Sequence, residues 1–142
     1  MKLLISYDEV KDIFSGKIAF PIDILFVGES KFQILSSIRV PIFGEKTISL
    51  ILSIKSASLN CVQLNNESGN FSNVVLNVLE KILEKFAPNN SINDLFDIEN
   101  ETIKLYPNVI DQVRTLEQYI VLNSIDVVED GFVLNLLFKD NN

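Results

Sequence analysis

No histidine occurs among the 142 residues, and that absence removes Ser-His-Asp triads, Cys-His dyads and imidazole zinc sites together. The single cysteine, Cys61, can form neither an intramolecular disulfide nor a cysteine-rich metal site. In the strand-like run 59–62 it reads as a small core residue. The five glycines, at 16, 28, 44, 69 and 131, are scattered, so no loop can cradle a phosphate in the usual way. Tryptophan is missing and the one methionine is Met1. Long hydrophobic runs are missing too. The stretch 48–54 is short and interrupted by Ser49 and Ser53, far from the roughly 18 apolar residues of a membrane span. Leu3-Leu4-Ile5, ending at Ser6, is too short for a signal peptide, which predicts a cytoplasmic protein provided no leader has been removed. With no catalytic or nucleotide-binding motif, the sequence predicts a protein that is not an enzyme. It assigns no catalytic, cofactor-binding or metal residue, and no cofactor.

What is present is apolar and acidic. Apolar residues make up 47% of the chain, enough to build a core in one ordinary domain, 1–142. The net charge of −7 is unevenly spread. Residues 1–62 hold seven basic and six acidic side chains, whereas 63–142 hold five basic and thirteen acidic. Nucleic-acid affinity rests on clustered Lys and Arg, and no such cluster exists, so nucleic acid is excluded as a partner.

The periodicity predicts α+β organisation. Ser6 with Glu9 forms a capping box opening a short helix through Val10, Ile13 and Phe14, preceded by a brief strand at 2–5. The period then changes to two. Ile18, Phe20, Ile22, Ile24 and Phe26 share one face of 17–27. Phe32, Ile34, Ile38, Val40 and Ile42 share one face of 31–43, and Ile48, Leu50, Leu52 and Ile54 one face of 46–56. Gly28-Glu29-Ser30 and Phe43-Gly44-Glu45 turn the chain between them, and a fourth strand follows at 58–64. Such alternation is the pattern of a half-buried antiparallel meander. Its strands are about twice the usual five or six residues, so the sheet must twist and curve. Pro21 and Pro41 are expected at edges or bulges.

After the polar stretch 65–70, Phe71, Val74, Val75, Val78, Leu79, Ile82, Leu83 and Phe86 repeat at helical spacing. They predict an amphipathic helix at 71–86, stopped by Pro88 and packed on the apolar face of the meander. A turn of helix at 91–96, a strand at 98–105 and a second helix at about 107–118 follow. Pro107 begins that second helix, and Val109, Val113, Leu116 and Ile120 form its buried side. A C-terminal hairpin closes the chain, with Ile125 and Val127 running up to Glu129-Asp130-Gly131, where Asp130-Gly131 is the turn dipeptide, and Phe132, Leu134, Leu136 and Phe138 running back. Asp94, Asp97, Glu99 and Glu101 are the nearest approach to a cation site. They lack the glycine and spacing of a calcium loop, so they read as a solvated acidic face. Asp126, Glu129 and Asp130 read as turn chemistry and edge charge.

The strand in 98–105 before a helix, and the ending 124–134 of sequence SIDVVEDGFVL, resemble the final elements of small bacterial TULIP-like (tubular lipid-binding-like) domains. The order of meander and then amphipathic helix is similar as well. The resemblance covers specific residues only in the last 45 or so, and no functional residue transfers. It implies an apolar ligand and a protein that is usually exported or membrane-attached, whereas this chain shows no leader.

Two functions follow as expectations. The first is a non-enzymatic binding module with an apolar groove for a lipid or another hydrophobic small molecule, suggested by surplus apolar residues such as Ala19, Leu25, Val27, Leu35, Phe43 and Leu76. The alternative is a protein–protein interaction or homo-oligomerisation domain, in which a partner covers the same residues.

Overall fold

The computed structural model describes residues 1–15, 22–40, 42, 44–68, 94, 96–99 and 101–140. The segment 71–86, in which the sequence predicts the long helix, lies outside the described residues, as do Pro21 and Pro41. What is described is α+β and mostly antiparallel sheet. The elements in order are β1 (Lys2–Ser6), α1 (Tyr7–Ser15), β2 (Ile22–Gly28), β3 (Lys31–Val40), β4 (Gly44–Ala57), β5 (Val62–Asn66), β6 (Phe96–Glu99), β7 (Thr102–Leu105), a 3-10 turn (Pro107–Val109), α2 (Asp111–Leu116), β8 (Ile120–Val128) and β9 (Gly131–Phe138).

The capping box closes as its sequence requires. The Glu9 amide donates to Ser6 Oγ at 3.1 Å and the Ser6 amide donates to Glu9 Oε1 at 3.2 Å, so two otherwise unpaired helix-end donors are satisfied.

Six strands form the larger sheet in the order β2-β3-β4-β5-β7-β6, all antiparallel, and the first four are the expected meander. The register lines up the alternating apolar residues. Ile24 lies opposite Ile34, which lies opposite Leu50, and Phe26 faces Phe32, which faces Leu52. Further across, Leu64 faces Ile103 and Phe96 faces Leu105. A slip of one residue would turn each of these rows to the solvent side, so the pattern itself fixes the pairing. The strands are long, at ten residues in β3 and fourteen in β4.

Three strands form a second, smaller sheet in the order β1-β9-β8. Its Val127 joins the buried cluster of Ile24, Phe32, Leu50, Leu52, Val62, Leu64, Phe96 and Ile103, and Phe132, Tyr7 and Val10 pack against that cluster. The small sheet and α1 therefore cover part of the oily face of the meander, a role the sequence reading gave to 71–86 alone.

Local corrections have physical causes. The single strand expected at 98–105 is a tight hairpin, β6 and β7, with Glu99 opposite Thr102. Phe96 and Ile98 have even numbers and Ile103 and Leu105 odd ones, so one straight strand would send half of them outward. A two-residue turn brings all four to one side. The strand expected at 58–64 starts only at Val62, because Ser58 closes a turn. Its amide donates to the Cys61 carbonyl at 2.9 Å, and its Oγ accepts from the Cys61 amide at 3.1 Å. Cys61 precedes the strand and is only half-buried. Asn65 and Asn66, read as loop, belong to β5, and Asn66 is buried with its Oδ1 accepting the Ser68 amide.

Gly44 opens β4 opposite Val40 instead of lying inside the turn. Asp94 is helical, as expected for 91–96, but Phe96 already begins β6. The helix expected at 107–118 divides into the 3-10 turn and α2, because Ile110 between them is extended at φ −77 and ψ 127. Ile120 falls in β8, and Leu116 is exposed. The last hairpin turns through Glu129-Asp130, one residue earlier than expected, with Gly131 inside β9 opposite Val128. Phe138, at the end of that strand, is 69% exposed.

Candidate functional site

The residues with the most chemistry in sequence are dispersed. Asp97 and Glu99 are exposed on the outer face of β6, directly opposite Lys104 and Thr102 of β7. Glu101 is exposed in the turn between these strands, and Asp94 is exposed as well. Asp126 accepts a hydrogen bond from Asn135 Nδ2 at 3.0 Å, and Glu129 and Asp130 are exposed at the hairpin tip. Among the described residues no group of three or more His, Cys, Asp or Glu side chains is placed to hold a metal ion.

Tyr7 is committed to structure. Its hydroxyl donates to the Val128 carbonyl at 2.5 Å, and its ring stands edge-on to Phe132 with 5.3 Å between centroids. Burial first, and the nearby Asp130 carboxylate second, hold its pKa above the ordinary value. Lys11 is raised as well, by its hydrogen bond and ion pair with Asp23 at 3.0 Å and by Asp8 at 3.5 Å.

A shallow cleft of about 120 Å³ lies where Ser58, Leu59 and Asn60 approach Ile120, Leu122, Glu117 and Lys139. Ser58 already serves its turn, and the Asn60 side-chain oxygen accepts from Asn108 Nδ2 at 2.9 Å. Pockets for drug-sized molecules run from about 300 to 1,000 Å³, so this cleft suits a much smaller guest.

The small sheet is more distinctive. Its inner face buries Leu122, Val127 and Leu136, and its outer face carries exposed apolar residues beside the polar Lys2, Ser124, Asp126 and Asn135. There Leu4 pairs with Val133, and Val121 pairs with Leu137. Leu4, Val121 and Leu137 are exposed by 49%, 39% and 53%. Between the two apolar pairs, Asn135 Nδ2 donates to Ser124 Oγ at 2.7 Å. A smaller exposed apolar group, Leu25 and Val27, lies on the outer side of β2. Sequence reading singled out Leu25 and Val27 but missed Leu4, Val121 and Leu137. The signal was there in Leu3-Leu4-Ile5, Val121-Leu122 and Leu136-Leu137, where consecutive apolar residues in a strand must face both ways.

Among the described residues four strands form the edges of the two sheets, and they differ in how they are guarded. β6 carries Asp97 and Glu99, β8 has a bulge between Leu122 and Ser124 and carries Asp126, and β2 has a bulge between Phe26 and Gly28. Charges and bulges of this kind keep edges from pairing with other chains. β1 has no bulge, and its one charge is Lys2. No described strand pairs with its free side. Comparison of the chain with protein-family models, curated proteins and solved structures gave no match in any of the three.

Proposed function

We propose that this protein is a non-enzymatic interaction module that binds protein partners through the sheet β1-β9-β8. The supporting observation is the set of exposed apolar residues Leu4, Val121 and Leu137 on the outer face of that sheet, beside the edge strand β1, whose free side no described strand pairs. Exposed apolar residues set among polar ones are a common make-up of association sites, and an open strand edge adds main-chain hydrogen bonds to the contact. A lipid or similar guest is the other expectation from sequence, and the cleft at Ser58 and Lys139 suits only a much smaller molecule.

The test joins two measurements on the purified chain. Solvent extraction followed by mass spectrometry should recover no apolar molecule in stoichiometric amount. Fluorescence anisotropy should detect binding to the chain itself or to extended peptides of alternating apolar sequence, weakened by Leu137→Lys. A stoichiometric lipid, with no binding to chain or peptide, would overturn the proposal in favour of the ligand-binding reading.

A further inference from the structure

Resting on that reading, we infer that the partner at β1 is a second copy of this chain, paired antiparallel about a twofold axis at Leu3. The backbone hydrogen bonds set the geometry. The Met1 and Leu136 main chains exchange both bonds at 2.8 Å. In an antiparallel ladder such exchange recurs at every second residue, so Leu3 and Ile5 also bond inward to β9. Lys2 and Leu4 therefore turn their N–H and C=O groups to the open side. Ser6, next in that series, already gives its N–H to Glu9.

The open side thus offers two donors and two acceptors, on Lys2 and Leu4. A twofold at Leu3 sets Lys2 of each copy opposite Leu4 of the other. All four groups then bond in both copies, and nothing in the capping box is disturbed. The two Leu3 residues face each other as the close, non-hydrogen-bonded pair, with Cα atoms about 4.5 Å apart. Each Leu3 side chain is 46% exposed in the single chain and has surface to bury there. On the opposite face, the stem of Lys2 covers Leu4 of the second copy.

Charge selects the same strand. Two copies of a chain with net charge −7 repel over most of their surfaces, but β1 contains one lysine and no acid. Antiparallel pairing points each Lys2 toward the end of the other β1, where Asp8 and Glu9 form the acidic first turn of α1. The product is one six-stranded sheet, β8-β9-β1-β1-β9-β8, with the outer faces of both copies on the same side.

The experiment is oxidative cross-linking in a Cys61→Ser background, with light scattering and circular dichroism on the same samples. Leu3→Cys places the two sulfurs at the twofold and should yield about tenfold more covalent dimer than Leu4→Cys, whose Cα atoms would lie beyond disulfide reach. The chain without added cysteine should scatter as a dimer. Lys2→Glu, which leaves the inner face of the sheet untouched, should shift it toward monomer with an unchanged spectrum. A folded Leu3→Cys variant that gives no more dimer than Leu4→Cys overturns the pairing. So does a monomer that binds extended peptides, although that result leaves the broader interaction reading standing.

Discussion

Phe132 of β9 stands edge-on to Phe32 of β3, with ring centroids 5.0 Å apart and planes at 84°. The two rings belong to different sheets, so this contact is one of the joints between them. Tyr7 extends the row by meeting Phe132 from the start of α1. Edge-to-face pairs contribute about 0.5–1.5 kcal/mol beyond the area they bury. Three aromatic residues, far apart in sequence, thus hold α1, the meander and the final hairpin together.

Gly131 should be among the least replaceable residues. Its φ is +154°, and a Cβ there would run into the Ile5 carbonyl oxygen and come within 2.8 Å of Ser6 Cα. Both obstacles are backbone and cannot swing aside. Gly131→Ala should cost about 3 kcal/mol in urea unfolding, from strain and overpacking combined. Gly28→Ala, at φ +89° with open space around it, should cost about 1 kcal/mol. Equal losses at the two sites would mean that β1 does not lie against Gly131.

Tyr7 should give the protein an alkaline limit. Because its folded pKa is above the ordinary value of 10.0, the folded state keeps this proton where the unfolded chain has lost it. Its contribution is therefore complete below about pH 10 and disappears as pH rises through the folded pKa. Lys11, raised from 10.5, adds a loss of the same sign at slightly higher pH. Tyr7→Phe should lower stability at neutral pH by about 1 kcal/mol through the lost bond to Val128 and flatten the slope above pH 10. Unfolding curves between pH 7 and 11 for both proteins check this, and an unchanged alkaline slope would contradict it.

The β2–β3 hairpin can be improved. Glu29 and Ser30 both adopt left-handed conformations, at φ +53° and +61°, which suit asparagine and glycine far better. Replacing the pair by Asn-Gly should raise stability by about 1–2 kcal/mol. It gives up only an exposed 3.5 Å ion pair between Glu29 and Lys31. A lowered melting temperature would show that these side chains do more than turn the chain.

Core and outer face should respond differently. Leu52, 2% exposed at the centre of the meander, should lose about 2–5 kcal/mol on truncation to alanine. Leu137→Ser on the outer face should stay within about 0.5 kcal/mol. Thermal unfolding of both variants measures the contrast, and a large loss at Leu137 would mean that this face is part of the fold.

The meander was legible because Ile22, Ile24 and Phe26, Phe32 and Ile34, and Ile48, Leu50, Leu52 and Ile54 recur at every second position, and register follows from that period. The Ser6–Glu9 box was legible because both partners of its hydrogen bonds lie within four residues. Pairings of high sequence separation were not. Nothing in Leu3-Leu4-Ile5 says that its neighbour is Phe132 to Leu134, since such a short apolar run fits many strands. The candidate surface was hidden for the same reason. An outward leucine is recognisable only once its strand has been placed in a sheet and the other face has been seen to fill the core.

The place of β1 beside β9 also bears on how the protein is made. Leu3, Leu4 and Ile5 leave the ribosome long before their pairing partners, residues 132–134. The meander can collapse early, while β1 waits as an unpaired apolar strand until residues 132–134 have been made. During that interval it is open to chaperones and to neighbouring nascent chains.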